Sequence, residues 1–340
     1  MGRLSRIRGC VLGLVLGDAL GATRGTVPAS GTLPATSAGQ LACFTVEGLI
    51  RASVRSHHKG ICHPPSVVWH AYHRWAALRG VPGVRRWQDD GWPDGWLARV
   101  PVLGAGRGPA PATVAALRDG RQGSVDDPVG SSVGAHGLTR SLPAALCPDW
   151  GPAPGRLAAE VAALTHGPEA IEAAEIAAAT VHRLDRCGDV ATAVDHVLAE
   201  RPTRPASAVA GAPRDALTAA RARPGQHANW WIAPDERAVS ALAGAVYVIA
   251  SMPGRHRVTE ALLFAAGAGD GGHTATVTGA LVGAAYGVDA LPVGLLSRLV
   301  LAWVADTLAR DLAAEWLGGP PGCGCAAGEA SHRWDRYPGW

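Results

Sequence analysis

Apolar residues recur along this chain at the spacing of helix faces. The runs 43–57, 65–79, 110–119, 156–165, 168–184, 189–200, 236–252, 257–267, 274–286 and 291–316 are rich in Ala and Leu with a period near 3.6, and no segment sustains the alternation of a half-buried strand. The pattern predicts an all-α, compact single-domain helical bundle over residues 1–318. Two stretches break it: 80–108, dense in Trp, Pro and Gly, and 201–234, which begins Pro-rich. Both read as loop insertions, which are uncommon at that length in compact domains unless functional. A Gly- and Pro-rich C-terminal tail, 319–340, reads as poorly ordered or as an appendage.

Glycine carries a second period. Gly9, Gly13, Gly17 and Gly21 repeat every four residues, as do Gly279, Gly283 and Gly287, so each set lies along one helix face. Glycine inside a helix costs about 1 kcal/mol against alanine. A repeated set therefore predicts two helices whose backbones approach closely enough to offset that cost. The same spacing serves dimerising membrane spans, but Asp18 and Asp270 end the stripes and neither apolar run is long enough to cross a bilayer.

Composition narrows the class. The 340 residues are 48% hydrophobic, enough for a sizeable core, and the net charge of +3 is close to neutral for this length. Basic residues are arginine except for Lys59, and with so small a net charge no nucleic-acid partner is expected. Seven scattered cysteines form no disulfide framework and suit a reducing compartment. Arg3, Arg6 and Arg8 before CVLGLVLG resemble a signal peptide, but the apolar stretch runs directly into Asp18 of a predicted core helix. The expectation is a cytoplasmic protein with no membrane partner; the sequence leaves the oligomeric state open.

Four segments, in order, carry a resemblance. GCVLGLVLGDALGA (Gly9–Ala22) is similar to GxxLGxAxGDAxGAPxE, with Gly25 in place of the closing glutamate. SVGAHGLTRSLP (Ser132–Pro143) matches SKGCGAVMRVAP in length and keeps Ser132, Gly134, Arg140 and Pro143; LTHGPEAIEAA (Leu164–Ala174) follows LTHGHPEA. AGDGGHTATVTGALVGAAYG (residues 268–287) resembles GGDTDT followed by GAxxGAxYG. Together these resemble the ADP-ribosylglycohydrolase family, which implies an all-α fold of that type and a pocket for an ADP-ribosyl compound or a small-molecule nucleotide.

The resemblance also implies a paired-magnesium site built from DTDT and a TDDT motif. Here DTDT falls on Asp270, Gly271, Gly272 and His273, and TDDT on Ala42, Cys43, Phe44 and Thr45. Two divalent ions need several converging carboxylates, and most are missing, so no metal ligand and no cofactor is expected. Candidate catalytic residues are Asp270, His273 and Cys43, with Cys43 either a thiolate served by His273 or an apolar filler of the lost metal space. Ser132, Gly134, Arg140, Thr45, Gly269 and Gly271 are the candidate ligand-binding residues.

Asp270 should be neutralised by a neighbour such as His273 or Arg140. Arg140 either meets a ligand anion or is buried against a carboxylate such as Asp18, and Thr165 reads as the cap of the following helix. The chain is thus expected to bind an ADP-ribose-like ligand without two-metal hydrolysis; the alternative is a repurposed metal-independent hydrolase or transferase using Asp270, His273 and possibly Cys43.

Twelve tryptophans stand beside two phenylalanines. Trp69, Trp75, Trp87, Trp92 and Trp96, with Arg85, Arg86, Asp89 and Asp90, either pack a core and a long loop or form a stacking wall for a ligand ring. His57, His58, Cys62, His63, His70 and His73 crowd one region, but a zinc site would need Cys323 and Cys325 from the tail, and capping or surface roles are the expectation.

Overall fold

The computed structural model describes residues 2–85, 91–147, 155–200, 208–226, 233–269, 272–317 and 335–338. It is built of α-helices and short 3-10 turns, with only isolated bridges, Leu33 to Leu299 and Gly134 to Arg237, and no strand among the described residues. The helices are α1 (Arg3–Gly21), α2 (Ser37–Lys59), α3 (Pro64–Leu78), α4 (Pro111–Asp119), α5 (His136–Ser141), α6 (Arg156–Ala163) and α7 (Pro168–Cys187). They continue as α8 (Val190–Glu200), α9 (Ala208–Ala222), α10 (Ala238–Ser251), α11 (Val258–Ala266), α12 (His273–Tyr286), α13 (Val293–Leu296) and α14 (Ala302–Leu317). Among the described residues no single helix is long and apolar enough to cross a membrane; the bent pair Ala238–Ser251 with Arg255–Ala266 would pass on length and composition alone.

α1 and α12 are the axis of the fold. Both are buried on nearly every face, Gly9 to Gly21 in α1 and His273 to Ala285 in α12, as expected of central helices that show no polar stripe. The glycine stripes meet here. A methyl group at Gly13 would overlap the carbonyl oxygen of Gly279, one at Gly279 would overlap that of Gly13, and Gly9 and Gly283 stand in the same relation. The obstacle at each site is backbone, which cannot step aside as a side chain can.

α2 lies against α1 and its start is tied down by three elements. Thr36 caps it, accepting from the Ala38 amide at 3.1 Å. Asp18 of α1 accepts from the Thr36 amide at 2.6 Å, the Thr36 hydroxyl at 2.6 Å and the Gly39 amide at 3.2 Å. The carboxylate thereby satisfies helix N-terminal amides that have no intrahelical partner. The end of segment 80–108 closes the same corner, since Arg107 O accepts from the Ser37 amide and Ala105 O from Gln40 Nε2.

The structure corrects several expectations. The 201–234 segment contains α9, whose Val209, Ala216, Leu217 and Ala220 are buried. Gly211 and Pro213 concealed it, because both are poor helix formers, yet burial of one face outweighs their cost. The expected helix 291–316 is broken. Leu33 N bonds to Arg298 O at 2.7 Å and Val300 N to Leu33 O at 3.0 Å, so the backbone between α13 and α14 pairs with residue 33 instead of continuing the helix. Segment 80–108 contributes buried Leu97, Val100 and Leu103 on two 3-10 turns.

In the tail, Tyr337 is buried and donates to Asp311 of α14. Arg51 Nη1 reaches Pro338 O at 3.3 Å.

Candidate active site

The predicted pocket residues fall on α2, on α5 and the loop before it, between α6 and α7, and at the start of α12. Thr45 sits on the third turn of α2, Arg140 in α5, Thr165 and His166 between α6 and α7, and His273 at the first position of α12. Ser132 and Gly134 lie in the half-exposed loop before α5, and Gly269 is exposed before α12. Asp270 and Gly271 lie outside the described residues, and so do Arg86, Trp87, Asp89, Asp90, Cys323 and Cys325.

Arg140 organises the interior. It is fully buried; Nη1 donates to Thr113 Oγ1 at 2.7 Å, Nη2 donates to Thr165 Oγ1, and the guanidinium carbon stands 4.6 Å from the Tyr72 ring centroid. The pairing with Asp18, one of the two readings of Arg140, is not made; Asp18 is occupied at the start of α2. Its partners are two hydroxyls and an aromatic face, and Nε has no hydrogen-bond partner among the described residues. Burial pushes Arg140 downward from its ordinary pKa, with Tyr72 opposing. Thr165 is not the cap of α7: Gly167 holds that position, and Thr165 Oγ1 bonds both Arg140 and His166 Nδ1, the latter at 2.7 Å.

Two histidines, His136 and His166, lie in the field of this cation, and a third, His273, pairs with His136. The rings of His136 and His273 meet edge to face, 5.1 Å between centroids and 70° between planes. His166 is buried beneath α5, and a Cβ at Gly137 would fall 2.8 Å from its ring, so this position is closed to larger residues. Burial, then the positive field of His273 and Arg140, pushes His136 down to about 3, and burial with Arg140 holds His166 well below the usual imidazole range. Both are neutral at physiological pH. Burial outweighs the three donors to Asp18 and the field of His273, and raises that carboxyl.

The positions matching TDDT are packed shut. Cys43 and Phe44 are 0% and 1% exposed within the core, and Thr45 is tied to Leu41 O at 3.1 Å and to Tyr72 Oη at 2.7 Å. Burial, reinforced by Asp18, pushes the Cys43 thiol up to about 12. No group of three or more His, Cys, Asp or Glu among the described residues is arranged to hold a metal ion. In the histidine-rich region His73 Nδ1 bonds Trp69 O at 3.0 Å and His63 Nδ1 bonds Ser66 Oγ at 2.8 Å. Trp69 and Trp75 are core residues.

Sequence reasoning passed over His136, Tyr72 and Thr113. His136 opens the short α5 in a Gly-flanked stretch with no motif of its own, and its one signal is that it interrupts the match to SKGCGAVMR. Tyr72 and Thr113 carry no local signal, since only the packing of α3 and α4 brings them to Arg140.

The ADP-ribosylglycohydrolase family profile matches residues 1–321. Among solved structures, the chain resembles one titled "ADP-ribosylglycohydrolase-related protein complex", at 25% identity and a TM-score of 0.58, covering 91% of this chain and 97% of that one. No curated protein matches the chain significantly.

Proposed function

Because the chain belongs to the ADP-ribosylglycohydrolase family, we propose that its pocket binds an ADP-ribose-like or other nucleotide ligand without a pair of magnesium ions. One observation carries this reading: where the family resemblance places two metal-binding aspartates, Cys43 and Phe44 are sealed in the core. A protonated thiol and a phenyl ring offer no hard oxygen to a magnesium ion, which needs near-octahedral oxygen ligation. Thr45, the one oxygen left on that turn, is already bonded to Tyr72. The residues present do not fit the family's metal pair. Arg140, a buried cation whose described partners are hydroxyls and an aromatic face, supports an anionic ligand.

The alternative, a metal-independent hydrolase or transferase, draws no support from Cys43. A thiol held at about 12 is not a nucleophile near neutral pH. Titration calorimetry with ADP-ribose, with and without EDTA, tests the proposal; the expected result is binding that EDTA leaves unchanged. Turnover of an ADP-ribosylated substrate that EDTA abolishes and magnesium restores would overturn it.

A further inference from the structure

The match to the family pattern breaks at two more places, 137 positions apart, that meet in space. His136 stands where SKGCGAVMR has its second glycine, and His273 where DTDT has its last threonine. Their rings nevertheless form one edge-to-face pair. His136 is half-buried, its Nδ1 is sealed from solvent with no hydrogen-bond partner among the described residues, and His273 is 9% exposed. A buried ring nitrogen left without a partner costs free energy, which a bound group of the right chemistry would recover.

The surroundings define that chemistry. His136 lies in the field of Arg140 and of His273 and is held neutral there, so it offers one N–H and one lone pair rather than a charge. A neutral imidazole paired with a second ring, and lying in the field of a guanidinium whose described hydrogen-bond partners are Thr113 and Thr165, complements a ligand that carries both hydroxyls and an oxyanion. Asp18, the carboxylate that feels the field of His273, is consumed by the start of α2.

We propose that His136 and His273 are a ligand-contacting imidazole pair that takes the phosphorylated-sugar part of the ligand by direct hydrogen bonds, in place of contacts through metal ions. This rests on the ligand reading given under Proposed function and names the residues of this chain that perform it. Edge-to-face rings can also serve packing alone, so the test must separate nitrogen from ring.

His136→Phe and His273→Phe keep a ring of similar volume and remove the nitrogens; His136→Gln keeps a donor and an acceptor without the ring. Calorimetric titration with ADP-ribose in EDTA should show binding by the unaltered protein, at least tenfold weaker binding by each Phe variant, and partial recovery in His136→Gln. Phe variants that bind within twofold of the unaltered protein would overturn the pair and leave the ligand reading standing. An unaltered protein that does not bind ADP-ribose would overturn both. Should a variant fail to fold, nitrogen-15 NMR of the unaltered protein decides. The ring-nitrogen resonances of both histidines should shift when ADP-ribose is added, and unchanged resonances would overturn the pair.

Discussion

Alanine in place of Gly13 isolates what holds α1 against α12. In an exposed helix the change stabilises by about 1 kcal/mol, because glycine is the poorer helix former. At Gly13 the added methyl overlaps the Gly279 carbonyl, a backbone obstacle on a helix that is itself locked in the core. Overpacking against such a wall costs about 3 kcal/mol, the upper part of the usual range, so the net effect is a loss of about 2 kcal/mol. For a chain of 340 residues the unfolding entropy is about 0.7 kcal/mol/K, which turns that loss into a Tm about 3 °C lower.

Gly211→Ala is the internal control. Gly211 lies in α9, and a methyl group added there would meet nothing within 4 Å, so the same substitution should raise Tm by about 1.5 °C. Differential scanning calorimetry or urea unfolding of the two variants reads the sign directly. Gly13→Ala as stable as the unaltered protein, or more so, would refute close backbone contact as the reason for the glycine stripe.

Glu47 is 1% exposed and pairs with Arg51 and, at 2.6 Å, with Arg74. Glu47→Ala removes the buried carboxylate that both cations share and leaves them the half-buried Asp94, at 2.6 Å from Arg51 and 3.7 Å from Arg74. It should cost about 3 kcal/mol, the lower end for a broken buried pair, whereas Asp127→Ala, removing the exposed partner of Arg121, should cost no more than about 1 kcal/mol in the same urea unfolding assay. Alkylation followed by mass spectrometry should label Cys187 well before Cys43, which is 0% exposed with its thiol at about 12; rapid native-state labelling of Cys43 near neutral pH would count against its role as buried filling. His136 is neutral in the fold, while the unfolded chain takes up the proton below its ordinary 6.5, so its contribution to stability is present above that pH and is lost as pH falls from about 6.5 to about 3. Asp18, with its raised carboxyl, acts in the opposite sense. The readout is therefore the difference between the unaltered protein and His136→Phe, whose Tm should fall less between pH 7 and pH 5.

Helical spacing made most of the fold legible, because a run with one apolar face declares both its type and its buried side. The glycine stripes went further and foretold close backbone approach, although not that the two stripes meet each other. Where reading failed, burial had overruled local preference: α9 forms despite Gly211 and Pro213, and the chain near Leu299 leaves helix to pair with Leu33. The six-residue α5 is too short to show a period.

Of the site, motif resemblance marked Arg140, Thr45 and His273 as candidate positions, but it did not give the partners of Arg140. A motif marks a residue without saying what faces it, and Thr113 and Tyr72 reach Arg140, and His136 reaches His273, only through tertiary packing.

Crystals grown with manganese and measured for anomalous scattering test the central claim most directly. Manganese occupies oxygen-rich magnesium sites and reports its own position. The account predicts no pair of anomalous peaks about 3.5–4 Å apart between the start of α12 and the Cys43–Thr45 turn of α2. Two such peaks, bridged by Asp270 with ligands drawn from elsewhere in the chain, would contradict it.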